Sequence, residues 1–388
     1  MIDPGYGIEK SQMRTLLVIA FSVIENDPRV FRQVQVLRDQ YQVTVIGLGG
    51  CPMSGIDWIA INTPSRTLLD RLKYIVLLGL RQFEKAYWSR ALHLTALSLL
   101  AGQKFDLVLA NDLETLPLAL RVADNVPVLL DAHEYAPLEH EDNFLWRLAV
   151  QPYIKYLCRK YLPQAKGMLT VCGGLAAEYT RVYGVKPKLL MNAPVYQVLS
   201  PSCVEEGRVR LIHHGGAVPG RCLELMVEMM AFMDERFTLD FMLMPSNARY
   251  LAELKQQAAS NPKIRFLEPV PMLEISRAIN HYDLGVYILK PNNFNNANAL
   301  PNKLFEFVQA RLGIAICPSP EMARFVERYK LGVVAIDFTP QALAARLNAL
   351  TMADIVKFKG AANVAALELC FEKNAEVLID EIQRLLGD

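Results

Sequence analysis

Along this chain of 388 residues, short runs of apolar and β-branched residues alternate with longer stretches of helical period, and the alternation runs twice. Positions 15–21, 42–48, 57–61, 106–110, 126–130 and 167–171 read as strands, with helical patterns between them. A parallel sheet is written this way, because a strand returning in the same direction needs a crossover, usually a helix. The pattern pauses over 193–207, where Pro194, Pro201 and Gly207 fall. It restarts with strands expected at 209–213, 237–244, 263–266, 283–289, 314–317 and 333–336. The expected fold class is α/β: two doubly wound, Rossmann-like domains, 1–195 and 196–350. Positions 351–388 are helical by period with no strand to follow, and are expected to pack back on the first domain.

The start of the chain tests a rival reading. Lys10 and Arg14 precede the apolar run 16–24, as in a secretory leader. The run meets Glu25-Asn26-Asp27-Pro28-Arg29 at once, with no small-residue cleavage site. It reads better as a buried first strand, followed by a helix that Asp27 caps and Pro28 opens. No apolar run approaches the ~20 residues of a membrane-spanning helix. Basic and acidic residues number 41 and 40, a net charge of +1, which speaks against a nucleic-acid binder. Seven cysteines without a CxxC pair read as reduced thiols, and the expected compartment is the cytoplasm.

Positions 64–105 differ from the rest. Arg66, Arg71, Lys73, Arg81, Lys85, Arg90 and Lys104 stand against Asp70 and Glu84, a local charge of +5. Leu68, Leu69, Leu72, Tyr74, Ile75, Val76, Leu77, Leu78, Leu80, Phe83, Tyr87 and Trp88 lie among them. Cations interleaved with apolar and aromatic residues fit the surface of an anionic membrane. A packed helical hairpin with a charged outer face fits as well.

Three places can hold an anion or move a proton. No GxGxxG follows the first strand, which speaks against a nicotinamide-dependent enzyme. Gly215-Gly216-Ala217-Val218-Pro219-Gly220-Arg221-Cys222 misses a P-loop, with Arg for its Lys and Cys for its hydroxyl. A glycine pair between strand and helix still lets the backbone approach a phosphate, with Arg221 gripping it from the side. The second place is 295–306. Pro301 suits a helix start whose first N–H groups lack partners. Lys303 adds charge there, and Glu306, one turn on, can accept two ribose hydroxyls; a surface helix with a solvated Lys–Glu pair is the plainer alternative. The third is Asp131-Ala132-His133-Glu134, at the carboxyl end of a strand, where open parallel sheets bind ligands. His213-His214 send one ring to each side of a strand and form no metal face by themselves. No zinc or two-metal cluster is evident.

Taken in order, these pieces resemble a known family. They are Asn26-Asp27-Pro28-Arg29-Val30, Asn111-Asp112, 126–134, 171–193 (VCGGLAAEYTRVYGVKPKLLMNA), 215–224, 283–289, 299–306 (ALPNKLFE), 313–318 and 320–332. The chain is similar to GT-B glycosyltransferases of the group 1, retaining, family 4 type, over nearly its whole length. The resemblance implies two Rossmann-like domains whose parallel sheets face each other across a cleft. It implies transfer of a sugar from a nucleotide-diphosphate donor to a hydroxyl acceptor, glycan or lipid-linked, in surface polysaccharide or glycoconjugate synthesis. No metal and no other cofactor are implied.

By the same resemblance, His133, Arg221 and Lys303 serve catalysis. Gly215, Gly216, Arg221, Asn298, Leu300, Pro301, Asn302, Lys303 and Glu306 hold the donor. Asp27, Arg29, His133 and Glu134 lie on the acceptor side. The chain departs from the pattern at residue 298, which is Asn where the first Glu of E-x7-E is expected. The Lys that follows the family's Arg has no match, and Lys303 is the candidate to replace its charge. The first loop lacks the glycines of many members. Two rivals remain at this point: a sugar-nucleotide epimerase on the same fold, and an inactive binding partner or scaffold. The expected partners are a nucleotide sugar, a glycan or lipid-linked acceptor, and the inner face of an anionic membrane through 64–105, without nucleic acid.

Overall fold

The computed structural model describes residues 13–62 and 67–387. Lys10 and Arg66, which entered the readings above, lie outside the described residues. The chain divides into two compact units: the first runs to Leu190 and resumes at Ala375, and the second is Met191–Asn374.

Among the described residues the first unit carries one seven-stranded parallel sheet. Its strands are β1 (Thr15–Val23), β2 (Gln42–Leu48), β3 (Asp57–Ala60), β4 (Leu107–Asn111), β5 (Val128–Ala132), β6 (Gly167–Thr170) and β7 (Lys188–Leu189). They lie in the order β3-β2-β1-β4-β5-β6-β7. The second unit carries β8 (Val209–Gly216), β9 (Phe237–Met244), β10 (Ile264–Leu267), β11 (Leu284–Tyr287), β12 (Gly313–Ile316) and β13 (Gly332–Val334), in the order β10-β9-β8-β11-β12-β13. Both sheets are doubly wound, as the sequence predicts. The two-residue β7 is too short to leave a periodic trace. In each sheet the winding reverses beside the first strand, between β1 and β4 and between β8 and β11. Ligands of such sheets bind outside the carboxyl ends of the strands at that point.

The first strand is buried as expected, with Leu16, Leu17, Val18 and Ile19 fully out of solvent. Asp27 caps the helix Pro28–Leu37, its side chain accepting from the Val30 amide at 3.2 Å. Val30, Val34 and Leu37 of that helix join the core of the first unit.

The tail divides differently from the expectation. Helix Phe371–Leu386 places Leu378 and Ile382 in the core of the first unit. Helix Met352–Ala365 stays with the second unit instead. There Ile355 is fully buried. Lys359 donates to the Tyr282 carbonyl at 2.5 Å and the Ser202 hydroxyl at 2.9 Å. Gln309 donates to the carbonyls of Ala366 and Leu369, just beyond the helix.

Residues 68–99 form three helices, Leu68–Gly79, Phe83–Trp88 and Ala91–Leu99. They are fastened at Glu84, which accepts from Lys160 (2.7 Å), Tyr161 (2.7 Å), Trp88 (3.0 Å) and Tyr156 (3.1 Å). Helix Leu68–Gly79 turns Leu78 inward and sets Tyr74 edge-on to Tyr153, ring centres 6.3 Å apart. Its outer face is apolar, not charged as the packed-hairpin reading expects: Leu68, Leu69, Leu72, Ile75 and Val76 are all half or more exposed. At ~100° per residue these five span roughly 120° of arc, bordered by Arg71 on one side and Lys73 on the other. The neighbouring helix Phe144–Ala149 exposes Phe144, Leu145 and Leu148 in the same way.

In the second unit, helix Asn302–Gln309 lies close on β11. A methyl group at Gly285 would come 2.3 Å from the ring of Phe307. The missing side chain on β11 is what lets this helix, with Lys303 and Glu306, reach the sheet. Gly285→Ala is expected to cost about 1–3 kcal/mol through overpacking. A lower urea midpoint would show it; an unchanged midpoint would refute the close approach.

Candidate functional site

In the second unit, β8 ends on Gly215 and Gly216 at the winding reversal. Gly215 has φ +128°, a region that strains residues with a side chain. A methyl group there would also stand 3.3 Å from Lys303 Nζ. The next turn, Pro219–Arg221, leads into Cys222 at φ +50°. A second segment comes against it: Asn296 Nδ2 lies 3.4 Å from the Gly220 carbonyl, and Asn292 Nδ2 is 3.5 Å from Cys222 Sγ. Asn293 caps the short helix Phe294–Ala297. Asn298 Nδ2 donates to the Phe294 carbonyl at 2.9 Å, and the buried Leu300 offers its carbonyl to Asn192. Pro301 then precedes helix Asn302–Gln309, where Asn302 holds a buried Oδ1 without a hydrogen-bond partner.

Lys303 and Glu306 are each only 5% exposed, so they are not a solvated surface pair. Their charged ends go to different histidines. Lys303 Nζ lies 3.2 Å from His213 Nε2 and 3.9 Å from the centre of the Tyr287 ring. Glu306 Oε2 lies 3.5 Å from His214 Nε2. His213 Nδ1 is 2.8 Å from the Val286 carbonyl, so that nitrogen donates and Nε2 is left to accept from Lys303. Burial, then the charge of Lys303, hold His213 neutral and push His214 down to about 3. Burial and the nearby Arg221 hold the Lys303 amine well below its ordinary value, against a smaller opposing pull from Glu306. Arg221 also stands beside the Tyr287 hydroxyl. Gly215, Arg221, Lys303 and Glu306 are thus gathered at the end of β8. His213, His214 and Tyr287 complete the group and were not singled out as site residues from sequence.

The first unit builds a different arrangement at its own reversal. Asp131, fully buried at the end of β5, takes a forked pair from Arg29, both contacts 2.6 Å. Gln33 donates to the same carboxylate. Arg29 reaches the Leu190 carbonyl with its remaining nitrogen at 2.7 Å. His133 Nδ1 lies 3.2 Å from Asp112 Oδ2, and Nε2 lies 3.2 Å from Asn111 Oδ1 and 3.5 Å from Asp131 Oδ2. Both ring nitrogens therefore face oxygen, which suits the doubly protonated ring. Burial works against that charge, yet Asp112 and then Asp131 outweigh it and raise His133 above its ordinary value. Burial likewise opposes the charge of Asp131, and Arg29 with His133 overcomes it, holding the carboxyl well below the usual range.

Of the residues expected on the acceptor side, Arg29 is committed to Asp131. Asp27 is committed to its helix cap and to the Ser22 hydroxyl at 2.8 Å. Glu134 is exposed, its carbonyl accepting from Tyr179. Among the described residues no group of three or more His, Cys, Asp or Glu is placed to hold a metal ion.

Removing the carboxylate in Asp131→Asn leaves the buried Arg29 without its counter-charge, at an expected cost of about 3–5 kcal/mol. The wild-type Asp131 contribution is present above the ordinary carboxylate pKa of about 3.9 and fades as pH falls through its lower folded value. For His133 the sign reverses: stabilisation is full below about 6.5 and is lost as pH rises through the raised value. NMR titration of the His133 ring should give a midpoint above about 6.5 that falls in Asp112→Asn. An unshifted midpoint would contradict the doubly donating ring.

Residues 29–191 match the family model described as Glycosyltransferase Family 4. The chain is similar in structure to sucrose-phosphate synthase from Thermosynechococcus elongatus, at TM-score 0.73 and 11% identity, over 96% of this chain and 99% of that one. It is similar to WaaG, a glycosyltransferase involved in lipopolysaccharide biosynthesis, at TM-score 0.63 and 14% identity, over 94% and 99%. It is similar to Anabaena HepE in complex with UDP and glucose, at TM-score 0.66 and 12% identity, over 96% and 100%. No curated protein matches it in sequence. The chain has the two-domain fold of these glycosyltransferases, and its residues 29–191 match glycosyltransferase family 4.

Proposed function

We propose that the second unit binds a nucleoside-diphosphate sugar at the end of β8, with Arg221 and Lys303 on the diphosphate and Glu306 on the ribose. One observation carries this reading. Two basic side chains, Arg221 and Lys303, meet at a glycine turn that closes a strand beside the reversal of a doubly wound sheet. Gly215 and Gly216 let the backbone come close, and Asn302 brings a buried oxygen without a hydrogen-bond partner. Retention of configuration belongs to the reading through the family alone.

Negative charge grows on the leaving phosphate as the glycosidic bond to the nucleotide breaks. Arg221, Lys303 and the amides of the turn would stabilise it in the transition state, in a site with little water. In this reading they serve without a metal ion. Loss of one such donor, as in Arg221→Ala, should raise the barrier by about 3 kcal/mol, roughly a hundredfold in kcat. Metal-free calorimetry with UDP, GDP and ADP should find one nucleotide that binds, at least tenfold more weakly in Glu306→Ala. Binding unchanged by Arg221→Ala and Glu306→Ala would sink the donor site. Turnover of the sugar nucleotide separates this reading from a scaffold, and product identity separates it from an epimerase.

The acceptor belongs to the same proposal: a glycan or lipid-linked hydroxyl presented at an anionic membrane. Helices Leu68–Gly79 and Phe144–Ala149 pack side by side with eight exposed large apolar residues between them. The exposed Arg71, Lys73, Arg81, Lys85 and Arg147 lie on or beside these helices. No helix among the described residues is long and apolar enough to cross a membrane, so the contact would be peripheral. The full chain should float with vesicles of anionic lipid at low salt, and Leu72→Asp with Ile75→Asp should abolish flotation without lowering the melting temperature. A wild type that stays with the unbound protein would overturn the membrane part alone.

A further inference from the structure

We propose that His213 is a positioning residue for the transfer, holding the Lys303 amine beneath the Gly215–Gly216 turn until the donor's diphosphate draws it away. The inference rests on that turn being the diphosphate site.

The geometry leaves His213 a single part. Its Nδ1–H is spent on the Val286 carbonyl at 2.8 Å. The ring is wedged between Phe241 and Tyr287, ring centres 5.9 and 5.1 Å away. It is fully buried, so Nε2 presents its lone pair in one direction, and Lys303 Nζ lies there at 3.2 Å. Lysine has a long, flexible stem, and an amine on such a stem is placed only by what receives it.

The groups facing Lys303 are His213 and His214 from β8, Arg221 from the following turn, Tyr287 from β11, and Glu306 from its own helix. The carboxylate among them, Glu306, is turned toward His214. A carboxylate on Lys303 would compete with the incoming phosphate. A neutral imidazole orients the amine and then yields to a charged acceptor, because hydrogen bonds to ionised oxygen are roughly twice as strong. Burial and Arg221 already disfavour the charged amine in the free protein. A bound diphosphate reverses that balance, so nucleotide binding should take up a proton from solvent.

Two substitutions separate positioning from support. In His213→Asn the short amide can keep the bond to Val286 but cannot reach Lys303. In His213→Gln the longer amide can place an oxygen near the former Nε2 but gives up the bond to Val286. The probes are UDP, GDP and ADP, titrated calorimetrically into the full chain at pH 8 in two buffers of different ionisation enthalpy. The nucleotide that binds should bind about tenfold more weakly to His213→Asn, with reduced proton uptake. His213→Gln should stay within about threefold of wild type, and His213→Asn should add no further loss to Lys303→Met. The opposite order, with Gln weak and Asn normal, would reduce His213 to a packing residue and overturn the proposal. So would wild-type binding without proton uptake. If Lys303→Met and Arg221→Ala bind as wild type does, the diphosphate site itself is misplaced. If those two weaken and both His213 variants do not, only the positioning role fails.

Discussion

Helix Asn302–Gln309 has to lie nearly on β11 for Lys303 and Glu306 to meet the end of β8, and Gly285 makes that approach feasible. Everything assembled in the second unit follows from this closeness. Phe307 covers the strand and stacks edge-on against His214, ring centres 5.2 Å apart. Two charged side chains one turn apart are carried below the surface and must then find partners among β8 and β11. Lys303 finds the His213 imidazole, and Glu306 comes within 3.5 Å of the His214 ring. A Lys–Glu pair would have satisfied both groups and left nothing for a ligand. Separate histidine contacts keep a cation and a carboxylate available at the place where the winding reverses.

The first unit meets the same demand in the opposite way. At the end of β5 a carboxylate is buried, and a forked arginine with an amide closes it completely. Breaking such a pair is costly because it strands a charge out of water. Arg29 and Asp131 therefore join the first helix to the fifth strand, and they hold His133 beside Asp131 and Asp112. The ring that results is a fixed donor with both nitrogens engaged, unlike a base waiting for a proton. One sheet end is electrostatically closed, and the other keeps its cation only loosely held.

Buried parallel strands are continuous apolar runs, which is why most of them can be read from sequence. The errors lie where polar residues continue a strand. β8 runs on through His213, His214, Gly215 and Gly216, because all four still pair with β9. From sequence the strand ends at the histidine pair, and the glycine pair reads as a turn. Asp131 extends β5 in the same way, its charge cancelled by an arginine 102 positions away, which no local window can find. Helical period says that 351–388 is helical but not which core each helix enters; Lys359 on Tyr282 and Leu378 in the first core decide it separately. For the site, the spacing of Lys303 and Glu306 was legible. Their histidine partners were not, since the Lys303–His213 contact spans 90 positions.

Helix Leu68–Gly79 poses a different physical problem. A twelve-residue helix is marginal alone in water, and here the inward side of Tyr74 and Leu78, with a capping box at Thr67 and Asp70, holds it in place. The outer leucines and isoleucine add nothing to that hold, because their surface stays in water. At about 25 cal/mol per Å², covering them is a source of free energy that folding leaves unused. The second exposed helix beside it widens the same surface, and the exposed cations at its margins favour negative charge nearby. A surface of that kind gains from an anionic, partly apolar phase without any change in the fold beneath it. That is the physical ground of the proposal that the acceptor is met at a membrane.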